Sequence, residues 1–268
     1  MKFMESTTRW RALIALGMMA MMMQAAGCSE VEISGKNAAD VFKDPQTLAL
    51  VNAACGGDIP KIDALVKQGA NINATGYRDM TPLVWTMECK NYAGIKKLLE
   101  LGANPNYKME GDISAMWASA GSSDPHFLPL MLAHGGDPNI TANNPFPSAL
   151  SIAIEQRRMQ NVELLLKHGV DVNQHDSVGN TAATDAIALG RYDVVEMLLK
   201  HGYDFRLQNL TDRAYLRGVA PNSPMNAVRL QVLEILASKG FHPNLVPHLG
   251  GPPTGLAPPS IDNGGGHP

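Results

Sequence analysis

The stretch Val162–Asn173 reads VELLLKHGVDVN, and a near copy 33 residues later, Val195–Arg206, reads VEMLLKHGYDFR. In both, apolar residues three and four positions apart form one stripe of a helix, and a glycine then ends that helix because it adopts a left-handed backbone without steric penalty. The pattern Gly-x-x-x-Asn recurs along the chain as Gly69–Asn73, Gly102–Asn106, Gly135–Asn139, Gly169–Asn173 and Gly240–Asn244, and as Gly202 with Arg206 in place of the asparagine. The glycines are spaced by 33, 33, 34, 33 and 38 residues, and a fixed period of this size indicates stacked supersecondary units.

Each unit also carries a helix of small residues ahead of the leucine-rich one. Thr81-Pro82-Leu83 opens such a helix, and the fixed backbone angle of proline suits a first turn. Ser114–Trp117 and Thr181–Thr184 are degraded copies of this opening. The period and the Thr-Pro-Leu motif resemble the ankyrin-repeat family over residues 46–244. The resemblance implies an all-α solenoid of about six helix-turn-helix units with short hairpin loops, the looser sixth unit acting as a C-terminal cap.

The chain opens on a short apolar run with basic residues ahead of it. Lys2, Arg9 and Arg11 precede the run Ala12–Met23, which is shorter than the roughly 20 residues needed to span a bilayer. A positive start, a short apolar stretch and small residues after it are typical of a secretory signal peptide. We therefore predict a signal peptide over residues 1–27. A transmembrane anchor and an unstructured Met-rich start are the alternatives.

The four residues Ala25-Ala26-Gly27-Cys28 resemble the lipobox of bacterial lipoproteins, although Ala25 stands where that motif usually has leucine. The resemblance implies that Cys28 carries the lipid and becomes the first residue of the mature chain. Ser29 follows it, and in that family a residue other than aspartate usually directs the protein to the outer membrane. We expect a chain that is lipid-anchored at the periplasmic face of the outer membrane without spanning it.

Two segments flank the repeats. Residues 28–45 are predicted to form a tether between the lipid and the first repeat. Residues 245–268 contain six prolines and six glycines, and such a segment buries too little apolar surface to offset its ordering entropy. We predict a disordered Pro/Gly-rich tail there.

Composition and motifs argue against several classes of function. The 268 residues carry a net charge of −3 and 6% aromatic residues, which offer nucleic acid neither electrostatic attraction nor a stacking platform. The sequence contains no Gly-x-Ser-x-Gly elbow, His-Glu-x-x-His, Walker loop or dinucleotide-binding glycine pattern. We therefore predict no enzymatic activity, no cofactor and no nucleic-acid partner.

Three histidines recur directly before a repeat glycine, at His134, His168 and His201. Stacked units would place them in a row at helix C-termini, where a basic group suits the helix dipole. A metal site built from these histidines is the alternative. We favour the structural interpretation and predict no metal.

If Cys28 carries lipid, Cys55 and Cys89 remain as a pair in a compartment that permits disulfides. In repeat register they fall at the exposed end of the first helices of neighbouring units, and the spacing of such helices is close to the limit of about 7 Å between bridged α-carbons. The sequence leaves two interpretations open, a disulfide and two buried free thiols. Neither cysteine has a histidine at a spacing that suggests catalytic activation.

In the ankyrin family, partners usually contact the hairpin tips ahead of each first helix and the exposed end of that helix, along a concave face. Carried over by repeat register, the resemblance implies a partner-binding surface made of Tyr77, Arg78, Met80, Glu88, Tyr107, Glu110, Asn144, Phe146, Glu155, His175 and Ser177. Among these, the tyrosines, Arg78 and Phe146 are of types enriched at interface hot spots or interface cores.

An ankyrin stack combined with a lipobox resembles the periplasmic immunity lipoproteins encoded beside antibacterial lipase effectors of type VI secretion systems. The resemblance implies a protein partner, a secreted lipase, which the chain inhibits before the lipase attacks the cell's own membranes. An accessory protein that supports a partner enzyme such as a catalase, and a structural envelope scaffold, are the alternatives.

Overall fold

A computed structural model of the chain describes residues 33, 35–142 and 148–244. The predicted signal peptide, Cys28, Asn144, Phe146 and the predicted tail lie outside the described residues. The chain divides into two compact units, unit 1 before and unit 2 after the boundary between residues 143 and 144. Within the described ranges the secondary structure is helical, with two isolated β-bridges and no strand. The prediction of an all-α fold is therefore confirmed.

The described part of unit 1 forms three helical hairpins preceded by one short helix. Its α-helices are α1 (Ala38–Val41), α2 (Pro45–Gly56), α3 (Ile59–Lys67), α4 (Pro82–Glu88), α5 (Tyr92–Glu100), α6 (Ala115–Gly121) and α7 (Phe127–Ala133), and a 3-10 turn covers Tyr77–Asp79. Helix α2 packs on α3, α4 on α5 and α6 on α7, while α2 also packs on α4 and α5. The first two hairpins are therefore stacked side by side.

The described part of unit 2 forms three further hairpins. Its helices are α8 (Ala149–Glu155), α9 (Met159–Lys167), α10 (Ala182–Ala188), α11 (Tyr192–Lys200), α12 (Leu207–Leu216) and α13 (Pro224–Ser238). Helix α8 packs on α9 and α10, α10 on α11 and α12, and α13 on α11 and α12. No helix in the described ranges combines the length and apolar character needed to cross a bilayer.

The packed region begins earlier than residue 46, within the segment predicted as a tether. Helix α1 ends with Val41, and both Val41 and Phe42 are almost completely buried. The Phe42 ring packs edge-to-face on Trp85 with 5.8 Å between ring centroids. Val41 and Phe42 pack with Val51 of the first hairpin and Trp85 of the second, so this part of the predicted tether is packed against the repeats.

Four of the short first helices begin at an N-cap residue whose side-chain oxygen accepts a hydrogen bond. Each of these N-cap residues accepts a hydrogen bond from the backbone N–H three positions later, which satisfies one donor at the helix start. They are Thr81 for α4, Ser114 for α6, Ser148 for α8 and Thr181 for α10. The Thr-Pro-Leu motif and its degraded copies therefore mark true helix starts.

The asparagine of the Gly-x-x-x-Asn pattern joins one repeat to the next. The Asn106 amide donates to the carbonyl of Gly135 (2.8 Å) and accepts from the backbone N–H of Asp137 (2.8 Å). Asn73 bridges to Gly102 and Asn104 in the same way, and Asn173 to Gly202 and Asp204. Each glycine involved has a positive φ, between 73° and 97° at Gly69, Gly102, Gly135, Gly169 and Gly202. The pattern therefore encodes a hydrogen-bonded ladder between hairpins of the same unit.

The recurring histidines lie where the sequence places them, at the ends of the second helices. Each ring Nδ1 donates to the carbonyl four residues earlier, at 2.9 Å for His134 and 2.8 Å for His168 and His201. One nitrogen of each ring therefore satisfies a helix C-terminus. Among the described residues, no group of three or more histidine, cysteine, aspartate or glutamate side chains could hold a metal ion.

A buried arginine secures the last hairpin. Arg229, on α13, is 4% exposed and donates to the carbonyls of Ala214 (2.8 Å) and Tyr215 (2.7 Å) near the end of α12. A cation at this position complements the negative end of the helix dipole. The predicted C-terminal cap thus has its own polar contact between the two helices of the hairpin.

Candidate protein-interaction surface

The hairpin tip ahead of α4, which we call tip 1 (Gly76–Met80), carries Tyr77, an exposed aromatic side chain predicted to bind a partner. Its backbone closes on itself, since the Gly76 N–H donates to the Met80 carbonyl (2.8 Å) and the Asp79 N–H donates to the Gly76 carbonyl (3.1 Å). Tyr77 is 53% exposed, and the Lys36 ammonium lies 4.6 Å from the centre of its ring. Tip 1 therefore presents an aromatic face beside a positive charge.

An ion pair connects tip 1 to the next hairpin. The Arg78 guanidinium Nε lies 3.1 Å from the Glu110 carboxylate, and both side chains are about half exposed. The Glu110 N–H also donates to the Arg78 carbonyl (3.3 Å). An exposed pair of this kind contributes at most about 1 kcal/mol to stability. Its main effect is to hold Arg78 and Glu110 side by side next to Tyr77.

Other predicted residues of unit 1 are less available or lie elsewhere. Met80 packs partly against a cluster of buried residues, so little of it faces outward. Tyr107 is only partly exposed. Glu88 is exposed at the last residue of α4, the opposite end of that helix from tip 1, and desolvation by nearby atoms raises its pKa. The structure therefore brings together Tyr77, Arg78 and Glu110 and separates Glu88 from them.

The equivalent tip of unit 2, tip 2 (Asp176–Asn180), carries a second group of exposed side chains. His175 and Ser177 are both exposed, as is Glu155 at the end of α8. The His175 ring stacks on Phe205, with centroids 4.1 Å apart and an interplanar angle of 14°. The Arg206 guanidinium lies 5.1 Å from the centre of the Phe205 ring. The Phe205 ring, which contacts both the His175 ring and the Arg206 guanidinium, therefore borders this tip.

Sequence reasoning missed three residues of this second group: Val178, Phe205 and Arg206. Val178 is 73% exposed, and the Arg206 guanidinium donates to its carbonyl at 3.5 Å. The available signal was Arg206 itself, which replaces the ladder asparagine of the other repeats. A side chain that no longer bridges two hairpins is free to cover the tip.

The two cysteines of the repeats are joined in the structure. Cys55 lies in the last turn of α2 and Cys89 follows α4, with their α-carbons 5.3 Å apart. This separation is well inside the range for disulfides, so the first helices of these two hairpins are closer at this end than the repeat register suggested. Both cysteines are partly exposed.

A shallow groove of about 480 Å³ lies on the second helices of unit 1. Its lining includes Tyr92, His126 and Leu130. The Tyr92 hydroxyl donates to Asp124 (2.5 Å), as does the His126 ring through Nδ1 (3.0 Å). Burial opposes the effect of these hydrogen bonds, but they hold the pKa of Asp124 below its ordinary value. A carboxylate engaged by two donors and kept ionised is a poor general base, so this network positions side chains.

Comparison with known proteins identifies the repeats. Residues 115–209 match the family model described as ankyrin repeats, in three copies. Protein PhlB of Serratia liquefaciens is 29% identical over 150 residues, which cover 56% of this chain and 66% of that protein. SH3 and multiple ankyrin repeat domains protein 2 of Homo sapiens is 30% identical over 146 residues, 53% of this chain and 8% of that protein. The chain thus spans less than two thirds of the length of these relatives.

Residues 115–209 thus match ankyrin repeats, and the helical hairpins within each unit pack side by side as in an all-α solenoid. Such a fold is typically a non-enzymatic interaction scaffold that binds a protein partner. The two tips supply exposed aromatic, basic and acidic groups suited to a protein surface.

Proposed function

We propose that the chain is a lipid-anchored periplasmic immunity protein that inhibits a cognate antibacterial lipase effector of a type VI secretion system. The observation that carries the binding part of this proposal is tip 1, where Tyr77, Arg78 and Glu110 are held together outside the packed helices. Tyrosine and arginine are among the residues that most often dominate the binding energy of a protein interface.

Two features support the proposed location. The lipobox-like residues Ala25–Cys28 supply the anchor, and the paired Cys55 and Cys89 fit an oxidising compartment, because disulfides are rare in the cytosol. An inhibitor attached to the membrane surface would be concentrated where a lipase must act. The proposed membrane anchor therefore places the inhibitor at the surface that the lipase attacks.

The proposed inhibition requires the chain to bind its lipase tightly. A few uninhibited lipase molecules would be lethal, so the complex should be nanomolar, which corresponds to about −12 kcal/mol. Truncating a central anchor of such an interface typically costs 2 kcal/mol or more, roughly thirtyfold in affinity. The Tyr77 and Arg78 side chains lie outside the buried core, so these two side chains can be removed without unfolding the hairpins.

The test is the double variant Tyr77→Ala and Arg78→Ala, with the lipase that this proposal expects a neighbouring gene to encode directed to the periplasm. Wild-type protein should restore survival, and the double variant should bind at least roughly thirtyfold more weakly and fail to protect. The matched control is Lys96→Ala with Glu100→Ala, which removes an exposed ion pair on α5 away from the tip and should protect fully. If the lipase is harmless, or wild-type protein gives no protection, the immunity function is wrong.

A second test addresses the anchor. Cys28→Ala should move the protein from the membrane fraction to the soluble periplasm, and the wild type should incorporate a palmitate analogue during growth. Wild-type protein without label would contradict the lipid anchor.

A further inference from the structure

We propose that the Cys55–Cys89 disulfide is a redox-dependent lock on tip 1, so that this tip holds its shape only in an oxidising compartment. The proposal rests on the proposed function in taking tip 1 as the partner-binding surface and in taking the chain to be exported to the periplasm. The structural part concerns how the disulfide, a small core and the tip are connected.

The disulfide and tip 1 contact the same core. Val41, Phe42, Val51 and Trp85 form a buried cluster, which we call the N-terminal cluster, and Cys55, Cys89 and Met80 all pack against it. Met80 is the last residue of tip 1. A movement of α2 relative to α4 would therefore disturb the cluster on which Met80 packs.

Gly76, at the other end of tip 1, is also held by the N-terminal cluster. A β-carbon at this position would lie 2.6 Å from the Val41 carbonyl and 2.9 Å from the Phe42 ring. The backbone of the tip thus lies directly on Val41, the last residue of α1, and on Phe42, which follows it. Because α1 is only four residues long, it has little stability of its own, and its position depends on the packing of the first hairpin.

Tip 2 has the same backbone pattern but a different support. The Asp176 N–H donates to the Asn180 carbonyl (3.0 Å) and the Gly179 N–H to the Asp176 carbonyl (3.0 Å), as Gly76 and Asp79 do in tip 1. The Asp176 carboxylate additionally accepts from the backbone N–H groups of Val178 (3.0 Å) and Asn180 (2.8 Å). Glycine occupies this position in tip 1, so tip 1 lacks that side-chain clamp and relies on the N-terminal cluster.

The terminal hairpin is the part of a repeat stack that opens most easily, because it packs on a neighbour on one side only. In unit 1 the disulfide closes that hairpin onto the next one across a sequence separation of 34 residues. Noncovalent links remain, such as the Asn91 amide donating to the Cys55 carbonyl (3.1 Å). Without the covalent bond, local opening of α1 and α2 would release Gly76 and Met80 together.

The chemistry is thiol–disulfide exchange with a dithiol. A thiolate of the reductant attacks one sulfur of the partly exposed disulfide, and its second thiol completes the transfer of two electrons and two protons, leaving two cysteine thiols and an oxidised reductant. The reverse step needs a disulfide oxidant, the type of compound that an oxidising compartment supplies. Before export the tip would therefore be loose, and after export it would be locked.

Hydrogen exchange of the purified chain, without any partner, tests the lock. We expect reduction with dithiothreitol to speed exchange of the Gly76, Asp79 and Met80 amides at least about tenfold, while the matched Asp176 and Gly179 amides of tip 2 change less than about twofold. The double variant Cys55→Ala and Cys89→Ala should show the fast rates with or without dithiothreitol. Thiol labelling under denaturing conditions confirms complete reduction.

Unchanged exchange at tip 1 after complete reduction would overturn the lock, and so would an equal rise at both tips, since that would indicate general loosening. No partner is present, so this failure leaves the proposed function standing. Conversely, a lack of protection by wild-type protein against the lipase overturns the function without affecting the exchange result.

Discussion

Tip 1 and tip 2 share one pattern of backbone hydrogen bonds, although Arg78 has a positive φ in tip 1, and they are supported by different side chains. In tip 2 a single carboxylate, Asp176, fixes the turn locally through the N–H groups of Val178 and Asn180. In tip 1 the equivalent residue is Gly76, which allows the backbone to lie against Val41 and to depend on distant packing. Tip 2 is therefore stabilised by its own carboxylate, whereas tip 1 is stabilised by packing on a separate segment of the chain. The comparison suggests that tip 1 responds to changes in the core beneath it and tip 2 does not.

The strongest way to break this comparison is to remove the disulfide. Replacing Cys55 and Cys89 by alanine should lower the free energy of unfolding of unit 1 by about 3–4 kcal/mol, because the unfolded chain is no longer cross-linked over about 34 residues. Urea denaturation in non-reducing buffer measures the loss, and dithiothreitol should lower wild type to the level of the variant. Two reactive thiols in denatured, unreduced wild-type protein, beyond any at Cys28, would contradict the bond.

The converse change removes the clamp of tip 2. Asp176→Ala should lower stability by about 2 kcal/mol, since charge-assisted hydrogen bonds to the Val178 and Asn180 amides are lost. Exchange should speed at tip 2 and stay unchanged at tip 1. Ser177→Ala, at an exposed neighbouring position, is the control and should have little effect. Equal loosening of both tips would show that they are not supported independently.

The asparagine ladder is present in both units, so its contribution to stability is not specific to either tip. Asn106→Ala should cost about 1–2 kcal/mol, because the Gly135 carbonyl and the Asp137 N–H lose their partner. Asn52→Ala, on the exposed side of α2, is the control and should be nearly neutral. Thermal denaturation of the two variants measures the difference in stability between them. Equal stability would mean that the ladder contributes nothing beyond the packing of the hairpins.

The repetitive features of this fold were predictable because each repeats the same physical requirement. A glycine with positive φ ends each second helix, and the period of these glycines fixes the stacking. The histidines before them were placed correctly for the same reason. Tyr77 and Arg78 were assigned to a hairpin tip by register alone, and the structure places them at tip 1.

The remaining features depend on contacts between residues far apart in the chain. Gly76 differs from Asp176 in the sequence, but the difference has meaning only once Val41 and Phe42 are known to lie beneath the glycine. Those two residues were assigned to a tether, because no repeat pattern covers them. Arg206 was visible as a departure from the pattern, yet its position over Phe205 follows from packing that no spacing rule describes.

The smallest expected effect concerns pH and again separates the two tips. Although partial burial opposes the effect, hydrogen bonds from Asn180 and from the Val178 and Gly179 amides lower the pKa of Asp176 below its ordinary 3.8. A depressed pKa in the folded state means that the unfolded state binds the proton more tightly, so the stabilisation is present above pH 3.8 and is lost as pH falls through the depressed pKa. Asp176→Asn cannot present a second acceptor oxygen to these donors, so it should be less stable than wild type at pH 7. The difference in stability should close in strongly acidic buffer, where Asp176 of the wild type is protonated as well.

Tip 1 has glycine at this position and should show no such dependence. Melting temperatures of both proteins at pH 7 and at successively lower pH measure the effect. A gap that stays constant through this range would mean that the hydrogen bonds at tip 2 do not depend on the charge of Asp176.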